Sequence, residues 1–400
     1  MNNRQYLLGY LADRPVINTH SHYHRTALPG QTDLACLLNN SYCSWVGGQL
    51  GENPAERKTY LERMRHNSYF LYWEKSMRQL YHFTEPLSEG NWDSWSETVC
   101  LADRSDPLHD RRIFRDICHY RKSLLDSYWD PGDCAGDPEL FAPSYRINMF
   151  LFGYHRDSVD HNGNSPWKCC DGFSPETLED YVDQMARQIA AQKERGACAL
   201  KCAAAWDRGL DFRPAGRMQA LQAWGVPEER LDETAKKQFQ DYIMDILCDL
   251  AAQLGLPVQV HTGMGILTRC GAMELHSLIQ RHPDTKFALL HCSYPWTQDV
   301  CALAQTCPNV YPDLTWVPLL SPSAAVRLLV ELLEVGTSDQ VCWGCDTWTA
   351  QESFGSLLAA RDVIAAALAE KIDCGHMTVQ QAEELADRIL WRNAEALYRL

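Results

Sequence analysis

Short apolar runs bounded by turn residues recur along the chain, with stretches of helical periodicity between them. Pro257-Val-Gln-Val260 leads into His261, Phe287-Ala-Leu-Leu290 into His291, Ala197-Cys-Ala-Leu200 into Lys201, and Gln340-Val-Cys-Trp-Gly-Cys345 into Asp346. Near the N-terminus Val16-Ile-Asn-Thr runs into His20-Ser-His22. Continuous apolar runs of this kind read as buried parallel strands, and their alternation with helical patterns reads as a parallel α/β sheet. Eight strands are expected: Pro15 to Asn18, Leu124 to Tyr128, Ile147 to Phe152, runs ending at Lys201, His261 and His291, Val310 to Asp313, and a run ending near Cys345. Helical patterns at Ser174 to Arg195, Glu233 to Leu254 and Ala324 to Leu333 fill the gaps. The expected fold is α/β, a (β/α)8 TIM barrel.

About a hundred residues separate the first two expected strands, far beyond an ordinary βα loop. Residues 32–120 are therefore expected to form a long helical insertion after strand 1. It is rich in aromatics, among them Tyr42, Trp45, Tyr69, Phe70, Trp73 and Trp95, and has helical periodicity over Thr59 to Tyr81. Such a segment rises from the face that carries the strand ends, where it can act as a lid or contact substrate; the alternative is that its aromatics pack it onto the barrel. At 400 residues the chain exceeds the roughly 250 of a bare barrel, so residues 1–400 are expected to form one domain with this elaboration.

A formal net charge of -15 argues against a nucleic-acid partner. No stretch has the roughly 20 apolar residues of a membrane helix, and the N-terminus shows no signal-peptide pattern, so no membrane association and a cytoplasmic location are expected. The 17 cysteines are scattered and many lie in apolar strands, as small buried hydrophobes do in a cytosolic chain. A homo-oligomer is left open.

The candidate chemistry gathers at the strand ends. Side chains at i and i+2 of a strand share a side, so His20 and His22 can reach one metal ion. In a closed barrel the C-terminal ends of the strands converge, which makes Lys201, His261, His291 and Asp346 neighbours of that pair. Neutral imidazoles and a carboxylate suit Zn2+, with Mn2+ or Fe2+ as alternatives, and three or four protein ligands leave a position for water or substrate. His20, His22, His261 and Asp346 are the expected metal ligands. Asp346, His291 and Lys201 are the expected catalytic groups: Asp346 as acceptor of a proton from a metal-activated water, His291 polarising a carbonyl or holding a second metal. Lys201 has three open roles, as a carbamylated bridge between two ions, as an ammonium that binds a substrate carboxylate, or as a structural counter-charge. One ion is expected, with two as the alternative. Arg208 and Trp206, on the loop after Lys201, are the expected substrate contacts, and a salt bridge of Arg208 to Asp207 or Asp211 is the alternative.

The ordered set His20-x-His22, Lys201, His261, His291 and Asp346 resembles the amidohydrolase superfamily of metal-dependent barrel enzymes. Leu256-Pro-Val-Gln-Val-His-Thr-Gly, Leu289-Leu-His-Cys-Ser-Tyr-Pro and Asn309-Val-Tyr-Pro-Asp resemble one branch more closely, the amidohydrolase-like domain sometimes fused to a glutamine-synthetase-like domain. With Leu400 as its last residue the chain is expected to be a stand-alone version. The resemblance implies the barrel and a metal site over Pro15 to about Leu390, outside the insertion, and leaves the substrate open.

Three functions follow as expectations. The first is a metal-dependent hydrolase that uses a metal-activated water to cleave a C–N amide bond of a small acidic substrate. The second is a uronate-isomerase-like aldose–ketose isomerase acting on a sugar acid. The third is a non-catalytic binding barrel, against which the intact ligand set counts.

Overall fold

A computed structural model describes residues 2–25, 30–51 and 53–400, so Glu52, within the expected insertion, lies outside the described residues. The chain divides into two compact units. The first comprises Met1–Ser123, Thr315–Val330 and Trp343–Trp391, the second Leu124–Leu314, Glu331–Cys342 and Arg392–Leu400. Among the described residues, seven strands follow one another in chain order across a sheet: β1 (Val16–Ser21), β2 (Tyr120–Leu125), β3 (Phe141–Arg146), β4 (Ala199–Cys202), β5 (Val258–His261), β6 (Phe287–Leu290) and β7 (Val310–Asp313). Helices separate β3 to β7 in sequence, among them Leu178–Glu194 and Glu233–Leu254.

In the second unit, strands β3 to β7 pair in parallel. Their register sets Arg146 beside Lys201, His261 beside Leu290, and Leu290 beside Asp313. Leu200, Val258, Val260, Phe287 and Leu289 are fully buried, as strands covered on both faces require. The apolar run of β6 gives way to the polar His291, and β5 and β7 end at His261 and Asp313.

Two expected strands are displaced. The second is expected at Leu124 to Tyr128 but forms at Tyr120–Leu125, starting in the polar Tyr-Arg-Lys. The third is expected at Ile147 to Phe152, yet Asn148–Leu151 is a helical turn and the strand is the preceding Phe141–Arg146. A short apolar run carries no period by which strand and helix can be told apart. Pro143 argues against a strand in the sequence, but its carbonyl still accepts the Cys198 N–H at 3.0 Å, so the pairing with the β4 side survives.

The expected eighth strand is an irregular run. In the second unit Cys342 bridges Asp313 in parallel, its N–H donating to the Pro312 carbonyl at 3.0 Å. In the first unit the run continues along β1: Thr19 N–H donates to the Trp343 carbonyl at 3.2 Å, and Asp346 N–H to the His20 carbonyl at 2.9 Å. Gly344 permits this approach, because a Cβ there would lie 2.6 Å from the His20 nitrogen.

Between β1 and β2 the described residues form helices, including Cys43–Gly47, Pro54–Met64, Ser68–Tyr81 and Trp92–Ser105. The single helical stretch expected over Thr59 to Tyr81 is two helices, broken where the Asn67 side chain caps the second by accepting the Tyr69 N–H at 2.9 Å. Tyr69, Phe70, Trp73 and Met77 point into the first unit and are buried. They face Ala350–Asp373, a 24-residue helix that is buried nearly all round. Gly355 in that helix lets the two approach: a Cβ there would sit 2.8 Å from the Tyr72 carbonyl oxygen.

Candidate functional site

The first unit brings three of the expected metal ligands together. His20 and His22, at the end of β1, turn their Nε2 atoms to the same carboxylate oxygen, Asp346 Oδ1, each at 3.2 Å. The two imidazoles meet edge to face with ring centroids 4.7 Å apart. His20 is buried, and the His22 side chain keeps 12% of its surface exposed. Asp346 holds a left-handed backbone, φ 60°, which non-glycine residues adopt at some strain and which is concentrated at functional positions.

The other carboxylate oxygen, Oδ2, accepts a 2.7 Å hydrogen bond from the Tyr42 hydroxyl. Tyr42 is itself fixed by stacking on Trp316 at 4.8 Å and Tyr69 at 5.2 Å, with Trp45 and Trp348 edge-on. Trp348 also stacks on His22 at 5.6 Å. Behind this layer the Tyr42 N–H donates to Glu352 Oε1 at 2.7 Å. Two imidazole nitrogens and one carboxylate oxygen converging on one point fit a divalent ion of the zinc type, and the Tyr42 hydrogen bond is the outer support that orients such a carboxylate.

Burial pushes the Glu352 carboxyl up to about 8, the N–H groups of Tyr42 and Trp348 pull the other way, and the Asp346 charge raises it further. The folded chain thus holds a proton on Glu352 that an unfolded chain releases near its ordinary value of 4.5. Stability is expected to fall as pH rises from about 4.5 to about 8, by on the order of a few kcal/mol. Glu352→Gln mimics the protonated acid. Its melting temperature, followed across that range, should gain on wild type as pH increases; a constant difference would show that Glu352 is ionised throughout.

The second unit holds the remaining expected residues. Lys201, next to last in β4, is fully buried, its Nζ 4.0 Å from Asp126 Oδ2. His261 and His291 form a pair, His291 Nε2 lying 2.9 Å from His261 Nδ1. His261 Nε2 lies 2.6 Å from the Met264 carbonyl oxygen. A carbonyl can only accept, so His261 carries its hydrogen on Nε2 and its Nδ1 accepts from His291. Both His261 ring nitrogens are thereby engaged by protein atoms. His291, Cys292 and Ser293 have φ of 65°, 44° and 60°, three successive left-handed residues.

Trp206 is partly exposed with its ring 5.2 Å from that of His261. The Arg208 guanidinium is committed to protein: it donates to Asp241 at 2.8 Å, Gln240 at 3.2 Å and the Gly209 carbonyl at 2.9 Å, and lies over the Phe212 ring. Asp241, a full helix away in sequence, is its main ion-pair partner, with Asp211 at 3.9 Å.

Sequence reasoning named Tyr42 only as one of the insertion's aromatics and passed over Glu352, Asp126 and Arg146. Asp126 carried a usable signal, since Leu124-Leu125-Asp126 is again an apolar run ending in a carboxylate. Tyr42 carried none, being one aromatic among many in its segment.

The amidohydrolase family profile matches residues 175–400, more than half of the chain. The chain belongs to the amidohydrolase family. This amidohydrolase-family chain is 35% identical over 156 residues to protein fluG of Emericella nidulans, across 36% of its own length and 17% of that protein. It thus spans under a fifth of the length of this curated relative. In fold it is similar to a Thermotoga maritima uronate isomerase (14% identity, TM-score 0.77, 100% of this chain and 98% of the other). A Caulobacter crescentus glucuronate isomerase (16%, 0.75, 99% and 94%) and a Lactobacillus casei protein assigned as a metal-dependent hydrolase (16%, 0.73, 98% and 97%) share it too. No helix among the described residues is long and apolar enough to cross a membrane.

Proposed function

We propose that this amidohydrolase-family chain is a metal-dependent hydrolase that cleaves a C–N amide bond in a small acidic substrate. The observation that carries the reading is the convergence of His20 Nε2, His22 Nε2 and Asp346 Oδ1 at 3.2 Å. A divalent ion of the zinc type held there by His20, His22 and Asp346 would supply Lewis acidity and would make water nucleophilic at neutral pH. Asp346 accepts the proton released in the attack and returns it to the leaving nitrogen. Tyr42 keeps that carboxylate in one orientation through its 2.7 Å hydrogen bond. Because both His261 nitrogens bond to protein, His261 is placed in this reading as the support of His291 rather than as a ligand. Lys201 is read as an ammonium that meets the acidic group of the substrate.

Isomerisation of a sugar acid is the second reading, and Tyr42 is the observation in its favour: a phenol beside the carboxylate supplies a second group able to carry a proton, as transfer between adjacent carbons and their oxygens requires. One pair of incubations separates the two. The zinc-loaded protein is expected to release free amine from a panel of N-acyl acidic amino acids, and to incorporate no solvent deuterium into a hexuronate in heavy water. Deuterium at carbon two, without amide cleavage, would establish the isomerase.

A further inference from the structure

Arg146 closes β3 and is the register partner of Lys201 at the end of β4. It is only 5% exposed. Its nearest carboxylate is Asp126, with Oδ2 3.6 Å from Arg146 Nη1 and 4.0 Å from Lys201 Nζ. Both separations exceed the roughly 2.7–2.9 Å of a charge-assisted hydrogen bond. Among the described residues, Arg146 Nε and Nη1 hydrogen-bond to no protein group. The Tyr128 ring lies 5.6 Å from the guanidinium carbon, in cation–π range.

Buried guanidinium donors are normally satisfied, because leaving them unpaired out of water is strongly unfavourable. Here Asp126 lies near both cations, and the buried Asp160 also acts on Arg146 through its charge, yet neither occupies Arg146 Nε or Nη1 with a hydrogen bond. Arg146 keeps part of its donor fork unused by the protein. A guanidinium fork matches a carboxylate in two parallel N–H···O bonds. The C-terminal ends of parallel strands, where Arg146 and Lys201 stand, are where such folds bind substrate.

We propose that Arg146, with Lys201 beside it, is the anchor for a carboxylate of the substrate: the fork binds it, Lys201 adds the second positive charge, and Asp126 stands near both cations without taking the donors of the Arg146 fork. The proposal rests on the acidic-substrate reading above and names the residues and the anionic group it requires.

Calorimetric titration of the full-length protein with glutarate and with its dimethyl ester tests this, with the metal content of the same samples measured separately. A failure of the metal reading then appears in the metal content and leaves the glutarate result to be judged alone. Wild type is expected to bind glutarate and to discriminate against the ester. Arg146→Met should weaken glutarate about 30-fold or more, the scale of losing one partner of a buried charge pair. Arg146→Lys, which keeps the charge and the fold but loses the fork, should fall between the two and serves where the methionine variant does not fold. Equal affinity in wild type and variant, or wild type binding glutarate no more tightly than the ester, overturns the assignment.

Discussion

Alanine in place of His22 is expected to abolish both divalent-metal binding and turnover while the protein stays folded. The imidazole is one of three groups aimed at a single point, its Nε2 3.2 Å from Asp346 Oδ1, and the side chain is partly exposed, so its removal opens little buried space. Loss of a direct ligand should exceed the ~10–100-fold affinity loss typical of outer supporting groups. His20→Ala should lose metal equally but also lower the melting temperature, because His20 is fully buried and its absence leaves a cavity. Elemental analysis after dialysis against buffer of low zinc content reads the first effect, and thermal melts the second. Wild-type metal stoichiometry retained in both variants would sink the ligand assignment.

Asp346→Asn should lower kcat by about 10² or more with metal still partly bound, since the amide keeps an oxygen ligand and loses the basic carboxylate. Tyr42→Phe makes the informative comparison. It deletes only the 2.7 Å hydrogen bond to Oδ2 and leaves the stacked aromatic layer intact. If Tyr42 positions the carboxylate, the phenylalanine variant should lose about 10-fold in kcat with KM unchanged, well short of the aspartate variant. Equal losses in the two would mean that the phenol itself carries a proton, and would turn the functional reading toward isomerisation.

The parts of the fold legible in the sequence share a physical cause. Strands β5, β6 and β7 are short, largely buried and separated by helices, so each leaves a mostly apolar run that stops at a polar residue at or just after the strand end, as at His261, His291 and Asp313. Strand β3 escaped because Pro143, Ser144 and Arg146 interrupt its run, while the neighbouring Ile147 to Phe152 is apolar for the sake of a buried helical turn. The meeting of His20, His22 and Asp346 follows from strand ends brought side by side, which chain order already implies once the fold is read. The bond from Tyr42 to Asp346 has no such shadow. It joins residues 304 positions apart through an irregular segment, and nothing local to Tyr42 distinguishes it from Tyr69 or Trp45. Arg146 was hidden for a third reason: unused donors are a property of surroundings, and no residue type announces them.

The left-handed backbone at His291, Cys292, Ser293 and Asp346 bears on how this sequence can drift over generations. Side chains beyond glycine adopt that conformation at a disadvantage of about 1–2 kcal/mol each. In a lineage released from selection for turnover, glycine at 291 or 346 would relieve that disadvantage but forfeit the buried bonds to His261 and Tyr42, so the two effects would oppose each other there. On the function proposed above, glycine at position 346 or 291 in a related chain would mark a scaffold kept after the reaction was abandoned, whereas an aspartate and a histidine held there against their conformational preference would mark a chain still at work.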